Sequence, residues 1–204
     1  MEETGLNRIG AFTDGVFAIA ITLLVLSLDV PQGDHEFTRR VLEQWPDLLS
    51  YFLSFAVVGR FWIVHHRFFA TLRRFDARLV QLNMLFLAFI VLVPYTTQLL
   101  GDHADDTITA VVYAAVLGLA GLCNLAMIRH ALDGGHVREE ARSATEPFAG
   151  RAALGIPVVF FASIPVAFLS PHVAEAMWAA LFFAWPARRR RLQRTVEASD
   201  TTSS

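Results

Sequence analysis

Two runs of this chain, Leu79–Leu100 and Thr107–Ile128, each hold 22 residues without one charged side chain. A helix needs about 20 apolar residues to cross the ~30 Å hydrocarbon core of a bilayer. Lipid leaves a backbone no solvent partner, so helices and closed barrels are the only structures that cross. Runs of this length read as transmembrane helices. The composition agrees: 54% of residues are hydrophobic and 18% charged, against about a quarter charged in soluble domains.

Six such segments are predicted, approximately at 9–28, 48–66, 79–100, 107–128, 152–170 and 172–187. Asp14 interrupts the first and Arg60 the second. The sixth reaches spanning length only with His172 and Glu175 near an interface. The expected fold class is therefore all-α, a polytopic membrane protein with one six-helix domain over 1–191. Residues 192–204, ending "EASDTTSS", have the composition of a disordered tail. The first segment is not expected to be a cleaved signal: its leading residues are at least as acidic as basic, and no small-residue cleavage site follows. No internal repeat is apparent, so inverted-repeat transporters gain no support. Cys123 is the single cysteine, so no disulfide framework exists.

All 17 basic residues are arginine. Arg8 precedes the first segment; Arg67, Arg73, Arg74 and Arg78 separate the second from the third. Arg129, Arg138, Arg142 and Arg151 separate the fourth from the fifth, and Arg188–Arg191 with Arg194 follow the sixth. By the positive-inside rule, six crossings put every one of these clusters on the cytoplasmic side, together with both termini. The same rule accounts for the arginine run after Ala187 as a membrane anchor, and no nucleic-acid partner is expected.

Ionisable and amide side chains inside a membrane are costly and by default are candidate functional groups. Under this topology Thr13 and Asp14, His65 or His66, and Asn83 arrive at similar depth near the cytoplasmic face, with Arg8 and Arg60 in reach. Two readings stay open for that layer: a polar cluster that locks the first three helices together, or a proton relay through Asp14 and a histidine. A resident metal is not expected. Adjacent histidines point about 100° apart on a helix, and no His-x-x-x-His spacing accompanies them.

At 100° per residue Gly15, Ile19, Thr22, Leu23 and Leu26 share one stripe of the first helix, with Asp14 about 140° from Ile19. By spacing alone, that stripe fits lipid or packing as readily as a pore.

The run "RIGAFTDGVFAIAITLLVLSL" resembles the first helix of the transmembrane protein 175 potassium channel family, whose signature is R-x-x-x-F-S-D. Here the signature reads Arg8, Phe12, Thr13 and Asp14, with threonine in place of serine. "YFLSFAVVGRFWIVHHRFF" is similar to the family's second helix, with Trp62, His65 and His66 in its aromatic-rich segment; "NMLFLAFIVLVPYTTQLLG", from Asn83, also resembles the third. Arg60 departs from the pattern. The resemblance implies a homotetramer in the cell membrane, with the first helix of each subunit lining a pore for potassium ions. It implies that Ile19, Leu23 and Leu26 line that pore, with Thr22 as an added polar ring, and that no cofactor is needed. Bulky apolar rings would impose a dehydration barrier that K+ crosses more cheaply than Na+, giving moderate selectivity. Two other classes compete: a proton-coupled secondary transporter using Asp14 with His65 or His66, and, last, a membrane enzyme. No nucleophile–base pair supports the enzyme.

Overall fold

The structure, a computed structural model, describes residues 2–28, 44–149 and 154–181. Helix α1 covers Glu2–Leu23 and continues as a 3-10 turn over Leu24–Ser27. Helices α2 (Trp45–Phe69), α3 (Ala77–Asp102) and α4 (Thr107–Asp133) follow, then the short α5 (Glu139–Ala149) and α6 (Gly155–Ala167). Residues 171–181 form a further helix, α7.

The ends of the long helices follow from local chemistry. Asp76 caps α3 by accepting a hydrogen bond from the Leu79 amide at 2.8 Å. Asp106 caps α4 through the Ile108 amide at 2.9 Å. An aspartate at this position satisfies amides that the helix itself leaves unpaired. The α3–α4 connection is only a few residues long, which makes the two helices antiparallel neighbours.

Helices α3 and α4 form the centre of the bundle. Helices α1 and α2 pack on α3, and α6 packs on α4. Phe17, Phe61, Phe86 and Ile90 fill the α1–α2–α3 side of the core, while Tyr113, Leu117, Phe160 and Trp178 fill the other. The N-terminal part of α1 meets the C-terminal part of α2 and the start of α3. Arg67, Arg73, Arg74, Arg78 and Arg129 thus belong to one end of the bundle, and Asp47, Asp102, Asp105 and Asp106 to the other.

Four helices are long and apolar enough to cross a membrane: Thr4–Ser27, Asp47–Phe69, Ala77–Asp102 and Thr107–Asp133. These contain the first four expected segments almost entirely, with only Leu28 beyond the first. Helix α3 continues through Pro94. Within the fifth expected span, 152–170, the described residues form a helix over Gly155–Ala167. A turn at Phe168 and Leu169 ends it, and α7 starts at Pro171. The expected end of the sixth span, the arginines at 188–191, and the tail over 192–204 lie outside the described residues.

Candidate pore helix and its polar anchor

Helix α1 has two unlike faces. Thr13, Phe17, Ala20 and Leu24 recur at spacings of four, three and four, and all are buried against α2 and α3. On the opposite face Phe12, Gly15, Ile19, Thr22, Leu23 and Leu26 are exposed, Ile19 at 61% and Leu26 at 69%. The 3-10 turn has three residues per turn, so side chains three apart eclipse. Leu26 therefore stacks over Leu23 instead of drifting around the helix. The Thr22 hydroxyl donates to the Ile19 carbonyl at 2.9 Å. Its proton is committed to the helix, which leaves the oxygen lone pairs as the polar feature of this face.

The polar residues near the start of α1 divide into two sets. In the first, buried set, the Asn83 amide donates to the Thr13 hydroxyl at 3.0 Å. Its carbonyl oxygen, an acceptor only, receives Nε2–H of His65 at 2.9 Å. One asparagine thereby joins α1, α2 and α3 without a charge. The His65 ring stacks on Phe86 with centroids 5.3 Å apart, and on Phe69 at 4.2 Å. The second set is half-exposed. The Trp62 indole N–H donates to Asp14 at 2.9 Å, His66 Nδ1 stands 3.9 Å from the same carboxylate oxygen, and the two rings stack at 5.3 Å. Asp14 thus lies on the flank of α1 against α2, not in the bundle interior. Arg8 and Phe12 belong to neither set and lie on the exposed side of α1.

Sequence reasoning did not single out two further clusters. Ser54 on α2 bonds the Tyr113 hydroxyl of α4 at 3.0 Å and the Thr97 hydroxyl of α3 at 2.8 Å. Asp76, His130 and His136 converge at the arginine-rich end. The signal for the latter was the pair of histidines flanking "ALDGG", but Asp76 is remote in sequence and only the α3–α4 packing brings it there.

A family model described as the endosomal/lysosomal potassium channel TMEM175 matches residues 8–94, the span that contains both polar sets and the exposed stripe of α1. A potassium channel of Streptomyces collinus is 35% identical over 192 residues, covering 87% of this chain and 92% of that one. The chain belongs to the TMEM175 family. A potassium channel of Chamaesiphon minutus is 40% identical over 124 residues, 56% of this chain and 60% of the other. The crystal structure of a lysosomal potassium-selective channel TMEM175 homolog from Chamaesiphon minutus superposes with a TM-score of 0.81 at 29% identity, covering 91% of this chain and 98% of that one. TMEM175 proteins are ion channels, so this chain is an integral, multi-pass membrane protein and not an enzyme.

Proposed function

We propose that this TMEM175 protein is a potassium channel whose pore is lined by α1 from several copies of the chain, four by likeness to the family. The carrying observation is the asymmetry of α1: one face is anchored on α2 and α3, while the other leaves Ile19, Thr22, Leu23 and Leu26 exposed. Ile19, Leu23 and Leu26 from each subunit would form apolar constriction rings. A hydrated ion passing them must shed part of its water, and the cost is smaller for K+ than for Na+. Thr22 supplies a ring of hydroxyl oxygens between the apolar rings, with each proton already donated to Ile19. No separate filter loop is then required.

The reading includes six crossings, with α6 and α7 completing the bundle and both termini cytoplasmic. Charge segregation supports it, since the arginine-rich end of α2, α3 and α4 is the end where α1 begins. The buried Thr13–Asn83–His65 set acts as a fastener that holds α1 at a fixed rotation, so the stripe faces the axis. Flux from proteoliposomes under a K+ gradient, with no pH gradient imposed, tests the channel reading. Dissipation of that gradient is expected, and an absolute need for a proton gradient would favour a coupled transporter.

A further inference from the structure

At the arginine-rich end of the bundle, three side chains from three segments meet around one carboxylate oxygen. His130 Nε2, near the end of α4, lies 2.9 Å from Asp76 Oδ2. His136 Nε2, beyond that helix, lies 3.4 Å from the same oxygen. One potential ligand atom from each residue falls within 4.8 Å of the other two. The other carboxylate oxygen, Oδ1, is held by the Leu79 amide at the cap of α3. His130 Nε2 also lies 3.1 Å from Oδ1, so Oδ1 is shared between the helix cap and His130 while Oδ2 faces both histidines.

The frame that presents His136 is specific. A Cβ on Gly134 would overlap Cε1 and Nδ1 of the His136 ring, so the ring occupies space that only glycine leaves open. Gly135 takes φ +63, the left-handed region that favours glycine, and turns the chain back. The returning segment is pinned to the α2–α3 connection. The Arg73 amide donates to the His136 carbonyl at 2.9 Å, and the Arg138 amide to the Thr71 carbonyl at 2.9 Å. His136 is buried to 7% exposure, and its Nδ1 has no hydrogen-bond partner. Hydrogen bonding of Nδ1 thus does not explain why a histidine stands there, and its one polar engagement is through Nε2, at the cluster.

We infer that Asp76, His130 and His136 form a binding site for a divalent cation of the zinc class. Two imidazole nitrogens and one carboxylate oxygen are the donor set that suits such ions, with metal–ligand distances near 2.0–2.2 Å and ligand atoms a little over 3 Å apart. Asp76 Oδ2 already lies 2.9 and 3.4 Å from the two imidazole nitrogens, and one ligand atom from each residue falls within 4.8 Å of the others, so side-chain adjustment would gather them on one ion, the 2.9 Å contact opening once its shared proton leaves. Asp76 and His130 are partly exposed, so the fourth position is open to water. Bound there, the ion would tie the start of α3 to the end of α4 and to the segment leading to α5. The adjacent charges oppose this in part: Arg73 and Arg74 donate to the carbonyls of Gly135 and Gly134. Both guanidiniums are exposed and screened by salt, so they weaken cation binding without preventing it. His65 and His66, the adjacent pair for which no metal was expected, take no part.

Co2+ titration of the tag-free, full-length protein in detergent, followed by visible absorption and Zn2+ competition, tests the site. One equivalent per chain should bind with the intensified d–d bands of a four- or five-coordinate ion, and Zn2+ should displace it. His136→Ala and His130→Gln should each weaken binding at least about 100-fold, beyond the ~10–100-fold cost of losing a ligand's own partner. A Zn2+-dependent rise in thermal midpoint should vanish in the same variants. His66→Gln provides a folded comparison that keeps full binding. Absence of stoichiometric binding in the wild type, or retained affinity in His130→Gln, would overturn the assignment.

Discussion

Asn83 donates its side-chain amide to the Thr13 hydroxyl at 3.0 Å, and this bond fixes which face of α1 is free. Thr13 is buried on α1, and a rotation of the helix that buried Ile19 would break the bond and leave the Asn83 side-chain N–H without its acceptor on α1. Asn83→Leu removes two interhelical bonds, to Thr13 and to His65. Single bonds of this kind in membranes average ~0.6 kcal/mol and reach ~1.7. The variant should lose about 1–3 kcal/mol, measured as a lower midpoint of thermal unfolding in detergent. Thr13→Ser, which retains the acceptor oxygen, should cost far less than Thr13→Val.

Asp14 accepts the indole N–H of Trp62 at the half-exposed edge of the same layer. Asp14→Ala should reduce the yield of assembled protein on size exclusion while leaving K+ over Na+ selectivity unchanged in the fraction that assembles. A fully assembled variant with altered selectivity would move Asp14 into the conduction path.

Tyr113 carries its hydroxyl to Ser54 and packs its ring against Trp178, tilted by 34° with centroids 4.8 Å apart. Tyr113→Phe keeps the ring contact and loses only the hydrogen bond. The expected loss is about 0.5–1.5 kcal/mol, read from the same unfolding measurement, and a larger loss from Tyr113→Leu would separate ring packing from the bond.

Asp76 offers a pH test in metal-free buffer. The Leu79 backbone N–H, and secondarily His130, hold its carboxyl below the ordinary value of 3.8. A depressed folded value means the stabilisation is present above 3.8 and is lost as pH falls through the lower, folded value. Asp76→Ala should cost about 0.5–2 kcal/mol near neutral pH as a lost helix cap. The difference from wild type should shrink in acid below pH 4, and a constant difference there would contradict the capping role.

Much of the bundle was legible because the bilayer enforces long apolar runs. The first four segments appear as helices over nearly the expected residues. Within the fifth, the described residues give a helix over Gly155–Ala167 with Pro165 inside it, followed by a turn at Phe168 and Leu169. At the site, depth along the chain brought Thr13, Asn83 and the histidines to one layer. Sequence spacing could not assign hydrogen-bond partners, because His65 and His66 differ by 100° and only the α2–α3 packing selects His65 for Asn83. The Asp76–His130–His136 cluster showed in the sequence only as two histidines flanking "ALDGG", because its geometry depends on the turn that Gly134 and Gly135 allow.

The central claim, that the exposed stripe of α1 forms the constriction, is tested most directly at Ile19. Reversal potentials under K+/Na+ bi-ionic conditions in planar bilayers compare the wild type with Ile19→Asn. A polar side chain lowers the dehydration barrier, so relative Na+ permeability should rise and the reversal potential should move toward zero, while Phe52→Asn, at another exposed site on α2, should leave it unchanged. An unaltered reversal potential in assembled, conducting Ile19→Asn would contradict the account.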